Sequence, residues 1–245
     1  MTKRLLPFLS LVVLLAVISS CSKDKQTYSD GTASFYPLKR GHYVEYDVDS
    51  VIWGAPAGTK RMAHYQMRYT IADTFTDLQN RASYRVDAII RNNDSSQWRS
   101  SDVFYVTPTS TSIEVVQNNL RFTKLVFPVA NGTTWKGNNA INVADQDLSF
   151  FADWDYVYSG LGSGYNNGRV SYDNTVTVQE RDETVGDPDL QPADYATRNF
   201  SKAIYAYGAG LVYREFVHWT YDPNPGSTTN GRVGYEVVMR ARENN

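Results

Sequence analysis

The chain has one cysteine, Cys21, and only three histidines, His42, His64 and His218, in 245 residues. A single thiol forms no intramolecular disulfide and no thiolate metal site, so the fold is expected to rest on packing alone. The histidines are far apart, and neither His-Glu-x-x-His nor His-x-His occurs, so nothing pins a histidine metal centre. His64 and His218 each fall on the polar side of a strand pattern and read as surface residues. Neither sign of charge is in excess, with 24 basic residues against 26 acidic ones. That balance argues against a nucleic-acid partner, whose binding needs clustered Lys and Arg. Long apolar stretches are missing too, except one from Leu5 to Ile18, which is shorter than the roughly 20 apolar residues of a membrane span. Beyond that stretch no segment carries a sustained helical period.

What is present at the N-terminus has a definite order. Lys3 and Arg4 precede the apolar run, and the run closes on Val17-Ile18-Ser19-Ser20 directly before Cys21. This resembles a bacterial lipoprotein signal with its lipobox. The resemblance implies a helical signal peptide over residues 1–20, cleavage before Cys21, diacylglycerol on the Cys21 sulfur and a further acyl chain on the new amino group. One acyl chain holds a membrane only marginally, at about 0.8 kcal/mol per buried CH₂, so two or three make the anchor effectively permanent. Loss of Lys3 and Arg4 leaves 22 basic residues against 26 acidic ones, a formal charge of −4 for the mature chain.

Residues 21–33 comprise the lipidated cysteine and a polar stretch, Ser22 to Ala33, that reads as a flexible tether. At about 3.3 Å per residue it reaches roughly 40 Å from the lipid. The resemblance to Gram-negative lipoproteins implies that Ser22, in place of Asp after the cysteine, fits sorting to an outer membrane. Ser22-Lys23-Asp24-Lys25 is similar to the charged surface-export tag of Bacteroidota lipoproteins, with one acidic residue where two or more are usual. A plain solvated linker accounts for it equally well.

From residue 34 onward strand signals dominate. Val44, Tyr46, Val48 and Ile52 alternate with Tyr43, Glu45, Asp47 and Asp49, which separates apolar side chains from carboxylates on two faces. The same period recurs at Tyr65/Met67/Tyr69/Ile71, Tyr84/Val86/Ala88/Ile90, Ile113/Val115, Val176/Val178, Leu211/Tyr213/Val217/Trp219/Tyr221 and Val233/Tyr235/Val237/Met239. Residues 148–158 fit a helix or a strand, and a strand over 152–159 is preferred. Gly160–Gly168, Asp182–Asp194 and Asp222–Gly231 read as the longest loops. These patterns predict an all-β fold, a single antiparallel domain over 34–243, as a curled sheet, half-barrel, barrel or sandwich.

Catalytic chemistry is sparse. Gly160-Leu161-Gly162-Ser163-Gly164 lacks the first glycine of a nucleophile elbow, and Tyr165 stands where a dinucleotide fingerprint needs its third glycine. No cofactor is therefore expected. Asp145, Asp147, Asp153 and Asp155 form an acidic cluster that could supply oxygens to calcium, though without an EF-hand turn, and a solvated loop explains them as well. Among 18 Tyr, 5 Trp and 10 Phe, Trp98 and Trp135 stand out because they sit among polar loop-like residues. They are candidates for stacking on a sugar or peptide, against the alternative of capping the open ends of the β core.

Tyr36–Ser50, Asp153–Tyr156, Asn174–Val178 and Tyr205–Trp219 resemble blocks of a set of uncharacterised Bacteroidota outer-membrane lipoproteins. The resemblance implies a lipid-anchored envelope location and a β-rich fold, and carries no activity to any residue. Two functions follow as expectations. The first is a non-enzymatic domain that binds a glycan, peptide or lipid at the outer membrane. The alternative is a structural lipoprotein that binds an envelope protein through an edge strand or aromatic patch. A glycan-acting hydrolase is a distant third.

Overall fold

The computed structural model describes residues 34–54, 59–227 and 231–245, so Cys21, the signal segment and the tether lie outside the described residues. Twelve strands follow one another: β1 (Tyr43–Gly54), β2 (Thr59–Thr76), β3 (Ala82–Arg91), β4 (Arg99–Pro108), β5 (Ser112–Gln117), β6 (Leu120–Val126), β7 (Thr134–Lys136), β8 (Asp155–Asn166), β9 (Ser171–Val185), β10 (Ala196–Ala206), β11 (Gly210–Asp222) and β12 (Gly231–Asn244). They form one antiparallel sheet in the order β6-β5-β4-β3-β2-β1-β12-β11-β10-β9-β8-β7. Every neighbour is consecutive in the chain except β1 and β12, which join the two halves, with Val48 opposite Met239. The sheet curls into a nearly closed barrel, one of the expected all-β architectures.

The two ends of the sheet, β6 and β7, meet at a seam. Thr123 N–H donates to the Gly137 carbonyl (2.8 Å), and the Trp135 indole N–H donates to the Thr123 carbonyl (2.8 Å). The Tyr158 hydroxyl accepts from Val126 N–H (2.8 Å) and donates to the Val126 carbonyl (3.0 Å). Groups that a sheet edge would leave open are thus used within the barrel.

The faces follow the alternation read in β1. Val44, Tyr46 and Val48 are buried inside, while Glu45, Asp47 and Asp49 lie outside. Outside, Glu45 accepts from Arg68 (2.6 Å) and Arg91 (3.2 Å), Asp94 accepts from Arg91 and Arg242 (2.8 Å each), and Asp49 accepts from Arg240 (2.6 Å). In β1 this is the reverse of a membrane-spanning barrel strand, whose outward face is apolar. No helix among the described residues is long and apolar enough to cross a membrane.

Three local expectations are corrected. Residues 148–158 divide into a short 3-10 helix, Gln146–Phe151, capped by the Asp145 side chain, and a strand that begins only at Asp155. Gly160–Gly168 is largely strand rather than loop. Gly160 and Gly162 take positive φ (61° and 81°) and break the register between Ser159 and Ser163, so the glycines bend a paired strand instead of ending it. In Asp182–Asp194 the first four residues extend β9 to Val185, paired with Thr197 of β10.

One end of the barrel is plugged by the residues before β1. Phe35 is buried in the main core, Tyr36 and Leu38 pack against it, and the Tyr36 ring lies 6.0 Å from that of Tyr205. Gly208 N–H donates to the Ser34 carbonyl (2.7 Å), which ties this segment to the turn between β10 and β11.

Candidate functional site

The lumen holds three charged side chains that no apolar face would be expected to accept. Lys124 of β6 and Glu180 of β9 are buried, and Arg214 of β11 joins them at the centre of the barrel. In the pairing of β5 with β6, Ile113 faces Leu125 and Glu114 faces Thr123, so Lys124 is the extra residue of a bulge. Glu180 is likewise extra between Gln179 and Arg181 in the pairing with β10. Bulges re-aim a side chain out of the regular alternation, and here both turn a charge into the lumen.

Lys124 and Glu180 satisfy each other. The ammonium lies 2.9 Å from one carboxylate oxygen, and the Ser201 hydroxyl donates to the other (2.6 Å). Burial pushes the Lys124 amine down to about 8, opposed by Glu180 and reinforced by Arg214. Burial alone would raise the Glu180 carboxyl, yet Lys124, Arg214 and Ser201 together hold it below its ordinary value. Arg214 differs from both. Among the described residues its guanidinium makes no hydrogen bond and no ion pair, and burial, which opposes its charge, is outweighed by Glu180 and neighbouring tyrosines. It stays cationic.

Tyr69, Gln117, Lys124, Glu180 and Arg214 form a partition between two spaces, lining both. Toward the plugged end lies a remnant of about 70 Å³. Toward the other end opens a cavity of about 510 Å³, walled by Val48, Met67, Leu120, Phe122, Trp154, Phe216, Val237 and Met239. The half-buried Leu148 and Phe150, together with Tyr235 at 38% exposure, line its solvent side. A concave, largely apolar space of this size with a few convergent polar groups is the usual form of a small-molecule site.

The residues singled out in the sequence lie elsewhere. Trp135 is in the seam, half-buried, with its ring 4.5 Å from that of Tyr158. Trp98 covers the outer ion-pair network, with its indole 4.9 Å from the Arg68 guanidinium and 4.4 Å from that of Arg91. Neither lines the large cavity. Asp145 caps the 3-10 helix, Asp147 is exposed, Asp153 offers its carbonyl to Arg181 (2.8 Å), and Asp155 pairs with Lys136 (2.9 Å). No group of three or more His, Cys, Asp or Glu side chains is placed to hold a metal ion among the described residues. His64 is exposed and bonds Asp49 (2.8 Å). His218 corrects the expectation of a surface residue. Half-buried, it stacks on Phe150 with ring centres 3.9 Å apart and bonds Asn199 (2.7 Å), and burial pushes its pKa down.

Sequence reasoning missed the lumenal charges because β11 is apolar on both faces. Tyr213, Val217 and Trp219 read as the core face, but a bulge opposite Ile204/Tyr205 resets the alternation, and Arg214 and Phe216 point inward instead. The outward Trp219 is occupied by Arg232, 4.5 Å from its ring. A charge in mid-strand between aromatic residues, as in Tyr213-Arg214-Glu215-Phe216, was the available signal.

No protein-family model matches the chain, and no curated protein matches it. Among solved structures, the chain is similar to a protein from Bacteroides fragilis described as exported, with a YmcC-like fold. The TM-score is 0.39 and the identity 8%, over 85% of this chain and 99% of that one.

Proposed function

We propose that this chain is a non-enzymatic, lipid-anchored protein of the outer membrane whose barrel takes a small amphiphilic molecule into its lumen. The cavity of about 510 Å³ beyond the charged partition carries this reading. Its walls are mainly aliphatic and aromatic, which favours an apolar chain over a glycan. The alternative, a structural protein that recruits a partner through an edge strand or aromatic patch, has less support, because Thr123 and Val126 of β6 already bond Gly137, Trp135 and Tyr158 across the seam.

N-phenyl-1-naphthylamine, a neutral dye that brightens in apolar surroundings, tests the lumen directly. Full-length protein carrying Cys21→Ser, which removes the acylation site, is expected to bind it saturably with a blue-shifted emission. Val237→Trp, placed on the cavity wall, should abolish most of that signal without changing the circular dichroism spectrum. Dye binding that is absent, or indifferent to Val237→Trp, would refute lumenal binding.

The anchor is tested separately through Cys21→Ala. The unaltered protein should fractionate with the outer membrane and take up labelled fatty acid, and the variant should do neither. Membrane fractionation of both forms without label uptake would overturn the lipoprotein reading.

A further inference from the structure

The lumenal charges do not cancel. Lys124 and Arg214 share one counter-charge, Glu180, which the ammonium holds at 2.9 Å, so the trio carries a net positive charge; the Arg214 guanidinium lies 5.8 Å from the Phe216 ring and makes no hydrogen bond or ion pair among the described residues. A half-buried guanidinium that lines a cavity without a hydrogen-bond partner has its donors free for an anion that enters there. The hydroxyls of Tyr69 and Tyr205 beside it also make no hydrogen bond among the described residues. Three polar groups thus converge without a hydrogen-bond partner among the described residues on the inner end of a mainly apolar space.

We infer that the lumen takes a single-chain monoanionic amphiphile head first, with its carboxylate on Arg214 and its alkyl chain along the apolar wall toward Tyr235. This deepens the proposed function and rests on the lumen being the binding site. One uncompensated positive charge matches one negative charge, whereas the dianion of a phosphate monoester would leave an excess. The guanidinium fork fits the two oxygens of a carboxylate in parallel, a geometry that an ammonium does not offer. Lys124 is already held by Glu180, so it contributes to the potential without being the docking group. Trp154, Phe216 and Met239 flank the path between head and solvent, where each buried methylene of a chain adds to binding.

Competition against N-phenyl-1-naphthylamine in the full-length Cys21→Ser protein tests this with laurate and 1-dodecanol, which share a chain and differ in the head. Laurate is expected to displace the dye at a concentration at least tenfold lower than dodecanol. Arg214→Met should erase that preference while still binding dye and dodecanol, and Arg214→Lys should restore part of it. Removing an unpaired buried charge is not expected to unfold the barrel, and an unchanged circular dichroism spectrum with retained dye binding confirms that the variant is folded. Should dodecanol compete as well as laurate in the unaltered lumen, or should Arg214→Met keep the full preference, the carboxylate assignment is overturned while lumenal binding stands. If neither compound displaces dye whose binding Val237→Trp abolishes, the fatty-acid assignment fails while the lumen stands as the dye's site.

Discussion

Glu180→Gln is expected to lower the unfolding free energy by about 3–5 kcal/mol, the loss typical of breaking a buried ion pair from one side. The substitution keeps shape and can still bond Ser201, so the loss is electrostatic rather than steric. It leaves two cations, Lys124 and Arg214, facing each other in a space where Glu180 had been the common counter-charge. Adding Lys124→Met to Glu180→Gln should recover part of the loss, because one of the two uncompensated charges is then gone. The pH dependence has a definite sign. The Lys124 amine titrates near 8 in the folded chain and near 10.5 when free, so between those values the unfolded chain binds more protons and this group makes stability rise with pH. Once Lys124 is neutral it no longer needs a counter-charge, so the deficit of Glu180→Gln should narrow above about pH 8. Urea unfolding followed by tryptophan fluorescence at pH 7 and pH 9.5 measures both effects. A loss below about 1 kcal/mol at pH 7 would put the pair in solvent rather than in the lumen.

The same three residues show where a period of two stops being a guide. In β1 the alternation of Val44, Tyr46 and Val48 with Glu45, Asp47 and Asp49 describes the finished structure, because one face meets the lumen and the other meets water and arginines. In β11 the outward face is aromatic as well, since Trp219 lies under Arg232, and the alternation no longer tells inside from outside. Bulges at Lys124 and Glu180 then shift the phase by one residue at the very positions that carry charge. Bulges depend on pairing between distant strands, so no local pattern announces them. The exposed-looking tryptophans misled for a related reason. Trp98 and Trp135 sit among polar neighbours because the guanidinium groups and seam hydrogen bonds they serve are polar, and those partners come from elements remote in sequence. Closure of the barrel was equally hidden, because β6 and β7 meet through Thr123, Gly137 and the Tyr158 hydroxyl rather than through a long ladder.

Trp154→Ala is expected to cost about 3–5 kcal/mol and to change what the lumen accepts. The side chain is only 2% exposed, its indole N–H donates to the Phe150 carbonyl (2.7 Å), and its ring stacks on Phe216 with centres 6.0 Å apart. It therefore does two things at once. It forms part of the cavity wall, and it ties down the 3-10 helix that brings Leu148 and Phe150 to the solvent side of the cavity. Trp154→Phe separates these roles, since a phenyl ring keeps most of the wall and loses only the hydrogen bond, at a cost of about 0.5–1.5 kcal/mol. If the wall role governs binding, Trp154→Ala should admit longer chains and move the best-bound fatty acid to a greater length than in the unaltered protein, whereas Trp154→Phe should leave chain-length preference unchanged. If the tie to Phe150 governs it, both variants should release ligand faster with no change in the preferred length. Stopped-flow displacement of N-phenyl-1-naphthylamine across a series of chain lengths distinguishes the two, and an unaltered length profile and unaltered release rate in both variants would remove Trp154 from the binding wall altogether.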